Sequence, residues 1–345
     1  MIYLGLFTIL AVVLFLPFLV KKVEEELEIF LFIMGCLVVT ITSAWGISLI
    51  RDALLEPIKI TLAVFIAGFL FKVFQKPVAH NVNKIVDIIG LRFFVLLVIV
   101  ILGILSSVIT AIIAALVLVE IVTYLKLDRK NEVILVILAC FSIGLGAALT
   151  PIGEPLSAIA IAKLKGHPYH AGFFFLFKHL WHYIIPGVMA FGVLGIIMMP
   201  KKRQLKPCLQ EEERTENLKD IALRTVKVYF FVMALIFLGK GFKPIIDVYI
   251  SRLSYQGLYW LNMTSAIVDN ATLTAAEIGP GLNFLQIKSA LLGLLIAGGM
   301  LIPGNIPNII VAGKLKIKSS EWAKFGVPLG LLVMAGYFCL LIIIK

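Results

Sequence analysis

The chain has 345 residues, 61% of them hydrophobic and 15% charged, with a mean hydropathy of +1.06 and a formal net charge of +11. That composition excludes a soluble globular domain and describes an all-α polytopic membrane protein, in which the longest polar stretch, 200–220, is only loop-sized. The positive balance fits basic cytoplasmic loops better than a nucleic-acid surface. Cys36, Cys140, Cys208 and Cys339 show no C-x-x-C spacing, so neither a disulfide framework nor a metal knuckle is expected.

Apolar spans are predicted at 2–20, 27–47, 58–74, 133–163, 171–198, 221–239, 286–313 and 325–344. The first lacks a basic n-region and a small-residue cleavage site, and reads as a retained span. Two further apolar regions, about 91–125 and 258–282, are interrupted near their centres by Ser106-Ser107-Val-Ile-Thr110 and Asp269-Asn270-Ala-Thr272-Leu-Thr274. Both read as re-entrant hairpins with polar tips at mid-depth, a conformation tolerated only where protein or a watered cavity surrounds it. A full span with a Ser/Thr-rich face is the plainer reading of the first; an Asp beside an Asn makes it a poor reading of the second.

Two of the spans cannot be continuous helices. In 133–163 the run Thr150-Pro-Ile-Gly-Glu154-Pro155 removes two backbone donors and offers a glycine, so the helix must break at 150–155. In 286–313 the run Gly298-Gly-Met-Leu-Ile-Pro303-Gly304-Asn305-Ile-Pro307-Asn308 imposes a second break at 303–307. Each leads into a short segment ending in basic residues, Lys163-Leu-Lys165 and Lys314-Leu-Lys316. A single insertion sets Glu154 opposite Asn305 and Ser157 opposite Asn308. Paired Gly/Pro-interrupted segments in two halves are the sequence pointer to a transport site.

The halves can be laid over one another. Phe71–Pro77 resembles Leu238–Pro244, the tip with Ser107 and Thr110 is set on Asp269 and Thr272, and the broken spans correspond. An odd number of crossings separates Lys76 from Lys243, so the two repeats are expected to be inverted. Lys and Arg gather in 21–22, 76–84, 126–130, 201–219 and 314–324, which places that face in the cytoplasm and both termini outside. The chain then divides into N-terminal spans with a first scaffold helix (1–84), first-repeat transport elements (85–199), a cytoplasmic loop (200–220), a second scaffold helix and connector (221–257) and second-repeat transport elements (258–345).

The expected site gathers Ser107, Thr110, Thr150, Glu154, Ser157, Asp269, Asn270, Thr272, Asn305 and Asn308. All are oxygen donors, two are acids, and none is Lys or Arg, a set suited to Na⁺ or another small hard cation. Glu154, Asp269 and Asn270 are the expected direct ligands of a transported, non-structural cation. A buried carboxylate must be neutralised by a cation or a proton, so competition at Glu154 and Asp269 would produce cation/proton antiport. No cofactor is expected, and the partners are the cation, protons and the lipid bilayer, with no nucleic acid. Glu277 reads as a residue at the mouth of the second hairpin or at the membrane interface, and Glu120 as one reaching toward the cytoplasm. His167, His170, His179 and His182 read as an interfacial aromatic belt sooner than a metal cluster.

On Thr150-Pro-Ile-Gly-Glu154, Asp269-Asn270 and Gly298–Asn308 the sequence resembles the ion transporter superfamily. That group includes arsenite permeases, NhaD-type sodium/proton antiporters and divalent-anion/sodium symporters, and the likeness is strongest to a small prokaryotic branch of predicted cation transporters. The resemblance implies a homodimer in a prokaryotic cell membrane, with a rigid scaffold holding a moving transport domain. It places Glu154 at the acid position after the first hairpin and Asp269-Asn270 at the second tip. The first tip departs from the family, having no Asn. Two alternatives stand beside the antiporter: an oxyanion or organic-acid carrier of the same superfamily, which the two acids disfavour, and an intramembrane aspartyl protease, which leaves the duplicated breaks without a purpose.

Overall fold

The computed structural model describes the chain apart from residues 1, 21, 24–25, 56, 59–60, 63–64, 66–83, 201–217, 250–252, 268–269 and 344–345. The described residues are mostly helical, with no strand among them. In chain order the helices are α1 (Ile2–Leu19), α2 (Leu27–Ile41), α3 (Leu91–Ile109), α4 (Ala111–Leu125), α5 (Arg129–Ala147), α6 (Pro155–Lys163), α7 (Phe175–Met198), α8 (Leu218–Tyr249), α9 (Tyr255–Leu261), α10 (Asn270–Glu277), α11 (Phe284–Ala297), α12 (Ile306–Leu315) and α13 (Ser319–Ile343). Short 3₁₀ turns occupy Asn262–Ala266 and Ile302–Gly304. Among the described residues five stretches are long and apolar enough to cross a membrane: α3, α5, α7, α13 and the Thr225–Pro244 part of α8.

The core is organised around α5. Every residue from Val133 to Ala147 is buried, as a helix that is apolar on all sides demands. Asp128 caps its N-terminus, accepting from the Asn131 amide. It packs against α3, α4, α7, α11, α12 and α13. Small residues set the closest approaches: a Cβ at Gly146 would stand 1.7 Å from the Gly103 carbonyl oxygen of α3. Such small-residue contacts bring helix backbones together where lipid offers no hydrophobic drive between them.

A second packing unit joins α2 to α8, with α1 against α2. Gly35 meets Ala234 and Phe237, Gly241 meets Val38, and Val39, Leu49, Ala53, Met233 and Phe237 form a small cluster there. The predicted span 221–239 is longer than expected, because α8 runs on through Pro244 to Tyr249. The expected span 58–74, its likeness to 238–244 and the loop 200–220 fall largely or wholly outside the described residues.

Both predicted breaks are present. The first separates α5 from α6 over residues 148–154, and the second separates α11 from α12 over 298–305. The regions 91–125 and 258–282 are likewise interrupted, the first at Thr110 between α3 and α4, the second by the 3₁₀ turn between α9 and α10. Across the halves, α4 packs on α12 and α6 packs on α10.

Candidate functional site at the two helix breaks

Glu154 is the N-cap of α6, in extended conformation at φ −154° and ψ 159°, with Pro155 as the first helical residue. Proline suits that position, since its missing N–H would have no partner there. Asn305 occupies the same place in α12, at φ −152° and ψ 145°, with Pro307 in the first turn. Both side chains are buried, Glu154 at 6% and Asn305 at 7% exposure. Neither side chain caps its own helix.

Much of the backbone freed by the breaks is held by side chains. The Ser157 hydroxyl donates to the Ala148 carbonyl at 3.1 Å. Asn308 Nδ2 donates to Gly298 O at 2.8 Å and Leu301 O at 2.9 Å, and Trp322 Nε1 donates to Gly299 O at 3.1 Å. Ser157 and Asn308, expected as ion ligands, therefore brace the breaks with their donor groups. The Asn308 Oδ1 atom has no hydrogen-bond partner and stays available as an acceptor.

The first tip meets the first break directly. The Thr150 hydroxyl donates to the Ser107 carbonyl and accepts from the Ile152 amide at 3.2 Å, while the Ala111 amide donates to Gly153 O at 2.8 Å. The Ser107 hydroxyl turns back to Ile104 O at 2.7 Å. Thr110 sits at φ 78° and ψ 149°, a region nearly reserved for glycine, and its hydroxyl accepts from the Ile113 amide at 3.3 Å. A strained residue at a tip pressed against a break is the kind of cost that folds retain at working sites.

At the second break, Asn270 is 3% exposed and lies against the break itself: a Cβ at Gly298 would stand 2.5 Å from its Nδ2 and 2.8 Å from its Oδ1. The Ser265 hydroxyl donates to Asn270 Oδ1 and also contacts Leu294 O at 3.0 Å. Asp269 and the Thr272 side chain, both expected at this tip, lie outside the described residues. The two breaks share a wall, because a Cβ on Gly144 of α5 would come within 2.9 Å of Asn305 Nδ2, and one on Gly299 would meet the Phe141 ring. The structure thus brings Asn270, Asn305 and Asn308 together at one break and Ser107, Thr150, Glu154 and Ser157 at the other, against opposite ends of the same few turns of α5.

Residues that sequence reasoning passed over tie these parts together. Ser106 donates to Ile143 O at 3.0 Å, and Ser142 donates to Ile99 O at 2.8 Å. Asn262 Nδ2 donates to Ala290 O at 3.0 Å. Glu277, read as a mouth or interface residue, is 7% exposed and has no hydrogen-bond partner at either carboxyl oxygen. The spacing Asn270, Thr274, Glu277, one face of a helix in an otherwise apolar run, was the available signal. The histidines sit among rings, His179 against Phe175 and Phe284 and His182 stacked on Trp181; no group of three or more His, Cys, Asp or Glu side chains suited to a metal occurs among the described residues.

The sequence profile of the family described as "Protein of unknown function (DUF1646)" matches residues 3–344. The chain belongs to this family. No curated protein matches it.

Proposed function

We propose that the protein is a secondary transporter, not an enzyme, that exchanges a small hard cation, Na⁺ first among them, for protons at the two helix breaks. The supporting observation is a set of contacts that recurs in register in the two halves. Ile143 and Leu294 each stand eleven residues before their cap, Glu154 or Asn305, and each carbonyl lies at a serine hydroxyl, Ser106 or Ser265. One residue earlier on each broken helix stand Ser142 and Gly293, and three residues before each serine stand Gly103 and Asn262. Gly103 meets Ser142, and Gly293 meets Asn262, so bulk and space have changed sides at one and the same contact. This register favours two copies of one limb-plus-broken-helix unit, the arrangement on which transporters build midplane sites. It sets Ser106 opposite Ser265, and hence Thr110 opposite Asp269, three residues from the tip pairing drawn from polar residues alone.

In this reading the two units are inverted, 91–125 and 258–282 are re-entrant hairpins, and α2 and α8 belong to a scaffold. The Lys/Arg-rich loops face the cytoplasm of a prokaryotic cell, with both termini outside, and the protein works as a homodimer. Glu154 is the buried acid of the first break, and Asp269 is the acid assigned to the second tip. The residues named at the breaks offer carboxyl, amide, hydroxyl and carbonyl oxygens and no Lys or Arg, which suits a cation over an anion. A carboxylate at that depth is neutralised by whichever of cation or proton occupies it, and alternation between the two is antiport.

The test is proteoliposome transport with a trapped pH dye, scanning monovalent and divalent cations. A cation-dependent collapse of a preset pH gradient, abolished in Glu154→Gln and in Asp269→Asn, is the expected result. A wild type that responds to no cation would overturn the reading.

A further inference from the structure

The carboxyl group of Glu277 lies outside the set that builds the breaks, yet it is as deeply buried as Glu154. It ends α10, followed by the turn 278–283, whose Leu282 carbonyl accepts the Tyr169 hydroxyl. Glu277 therefore stands between the second break, where α10 begins at Asn270, and the face formed by the turns 164–174 and 278–283. Its polar neighbour is Asn262, fully buried, whose Oδ1 has no partner while Nδ2 is held by Ala290 O. Thr274, one turn back on the same face of α10, is fully buried with an unpartnered hydroxyl, as is Ser289 on the adjoining α11.

Packing does not require this polar face. Counted from Ser106 and Ser265, the positions of Asn270, Thr274 and Glu277 correspond to Ala111, Ala115 and Leu118 of α4, all buried. At these three positions the limb is apolar in one half and polar in the other. Unsatisfied polar groups in low dielectric are costly unless something completes them.

We propose that Glu277 is a proton-binding site distinct from the ion site at the breaks. The geometry favours a proton over a metal ion because a proton leaves the carboxyl group neutral and in need of a single acceptor, whereas a hard cation asks for about six oxygens around it and the polar groups on this face are few. The carboxylate takes the proton from water at the face of the 164–174 and 278–283 turns, and the Thr274 hydroxyl and Asn270 amide extend the polar face toward the break. Among the described side chains, the charged ones on elements packed against α10 are Glu154 and Lys163 on α6, Lys227, Lys240 and Lys243 on α8 and Lys288 on α11, and the Glu277 carboxyl pairs with none of them; α8 also carries Lys219, Asp220, Arg224 and Asp247 in sequence. Lys227 is engaged by Glu26, and Lys288 lies over the Tyr183 and Phe284 rings. The role in transport rests on the antiport reading above; the protonation itself does not.

Two measurements on the full-length purified protein separate these. Infrared difference spectra between acid and alkaline pH are expected to show a buried protonated-carboxyl band that Glu277→Gln removes, Glu277→Asp restores at a shifted pH, and Glu154→Gln retains. A spectrum in which Glu277→Gln changes nothing overturns the proposal, as does a Na⁺ titration of the band at fixed pH that Glu277→Gln abolishes, since the group would then be a cation ligand. In proteoliposomes, Glu277→Gln is expected to shift the half-maximal pH of exchange by about one unit or more while apparent cation affinity stays within about twofold. An unshifted pH profile overturns the role in exchange. A wild type without any cation response defeats the antiporter reading and leaves the infrared result to decide Glu277 alone.

Discussion

The second break is held by one amide, and its removal has a calculable effect. Asn308 is fully buried and its Nδ2 serves two carbonyls, Gly298 O at 2.8 Å and Leu301 O at 2.9 Å. Asn308→Ala leaves both without that donor where water does not reach, at roughly 1–2 kcal/mol for each buried orphan. The sum, about 2–4 kcal/mol, is twice what Ser157→Ala loses at the first break, where one hydroxyl serves one carbonyl at 3.1 Å. At about 2 °C per kcal/mol for a chain of this size, the expected losses are about 4–8 °C and about 2–4 °C. Asn308→Asp is expected to be worse than alanine at neutral pH, since it turns an acceptor toward two acceptors. The assay is the apparent melting midpoint in detergent, read by size exclusion after heating at one fixed rate, because membrane proteins rarely refold after heating. An Asn308→Ala protein as stable as wild type, or no less stable than Ser157→Ala, would refute the idea that side chains of the half-helices hold the breaks together.

Thr110→Gly is expected to stabilise the protein by about 1 kcal/mol, because glycine accepts φ 78° and ψ 149° freely and the 3.3 Å capping bond it loses is weak; the same melting assay reads the gain. Gly187→Ala places a Cβ 1.8 Å from the Tyr337 hydroxyl and is expected to cost about 1–3 kcal/mol or more. Adding Tyr337→Phe recovers part of the loss, and a non-additive double-mutant cycle is the check. Arg129 donates to the last carbonyls of α12, Leu315 O at 2.9 Å and Lys316 O at 2.7 Å, and pairs with Glu132 and Glu321. Arg129→Lys, keeping charge but not the fork, is expected to lose most of what Arg129→Gln loses, about 1–2 kcal/mol given its partial exposure, with faster hydrogen exchange at the end of α12.

The breaks were legible because proline and glycine act locally: Pro155 and Pro307 lack the donor a continuous helix needs, whatever surrounds them. Glu154 as a helix cap was legible for the same reason. The register between the halves that we propose differs from the one that polar residues alone suggest. Matching polar tips set Ser107 and Thr110 on Asp269 and Thr272, whereas the contacts beneath the tips set Ser106 on Ser265. Register answers to what packs behind the limb, and the exchange of Gly103–Ser142 for Asn262–Gly293 hides that agreement from a residue-by-residue match. Glu277 was visible as an acid in an apolar run, but its depth depends on how the turn at Asn262 and α11 close over it, a tertiary fact. The length of α8 was not legible because the apolar run ends at Leu238, whereas the helix continues through Lys240, Lys243 and Pro244 to Tyr249.

The crossed packing of α4 on α12 and α6 on α10 has a consequence for how the protein is made. As the chain leaves the ribosome, its first half arrives with both a return limb and a half-helix whose intended partners have yet to be synthesised. Those surfaces must wait, at membrane depth, until residues 270–315 emerge, so the first half has no finished state of its own to settle into. Assembly is then a single late event in which both halves close on each other, and a truncated chain ending before α10 is expected to be a substrate for quality control instead of a stable half.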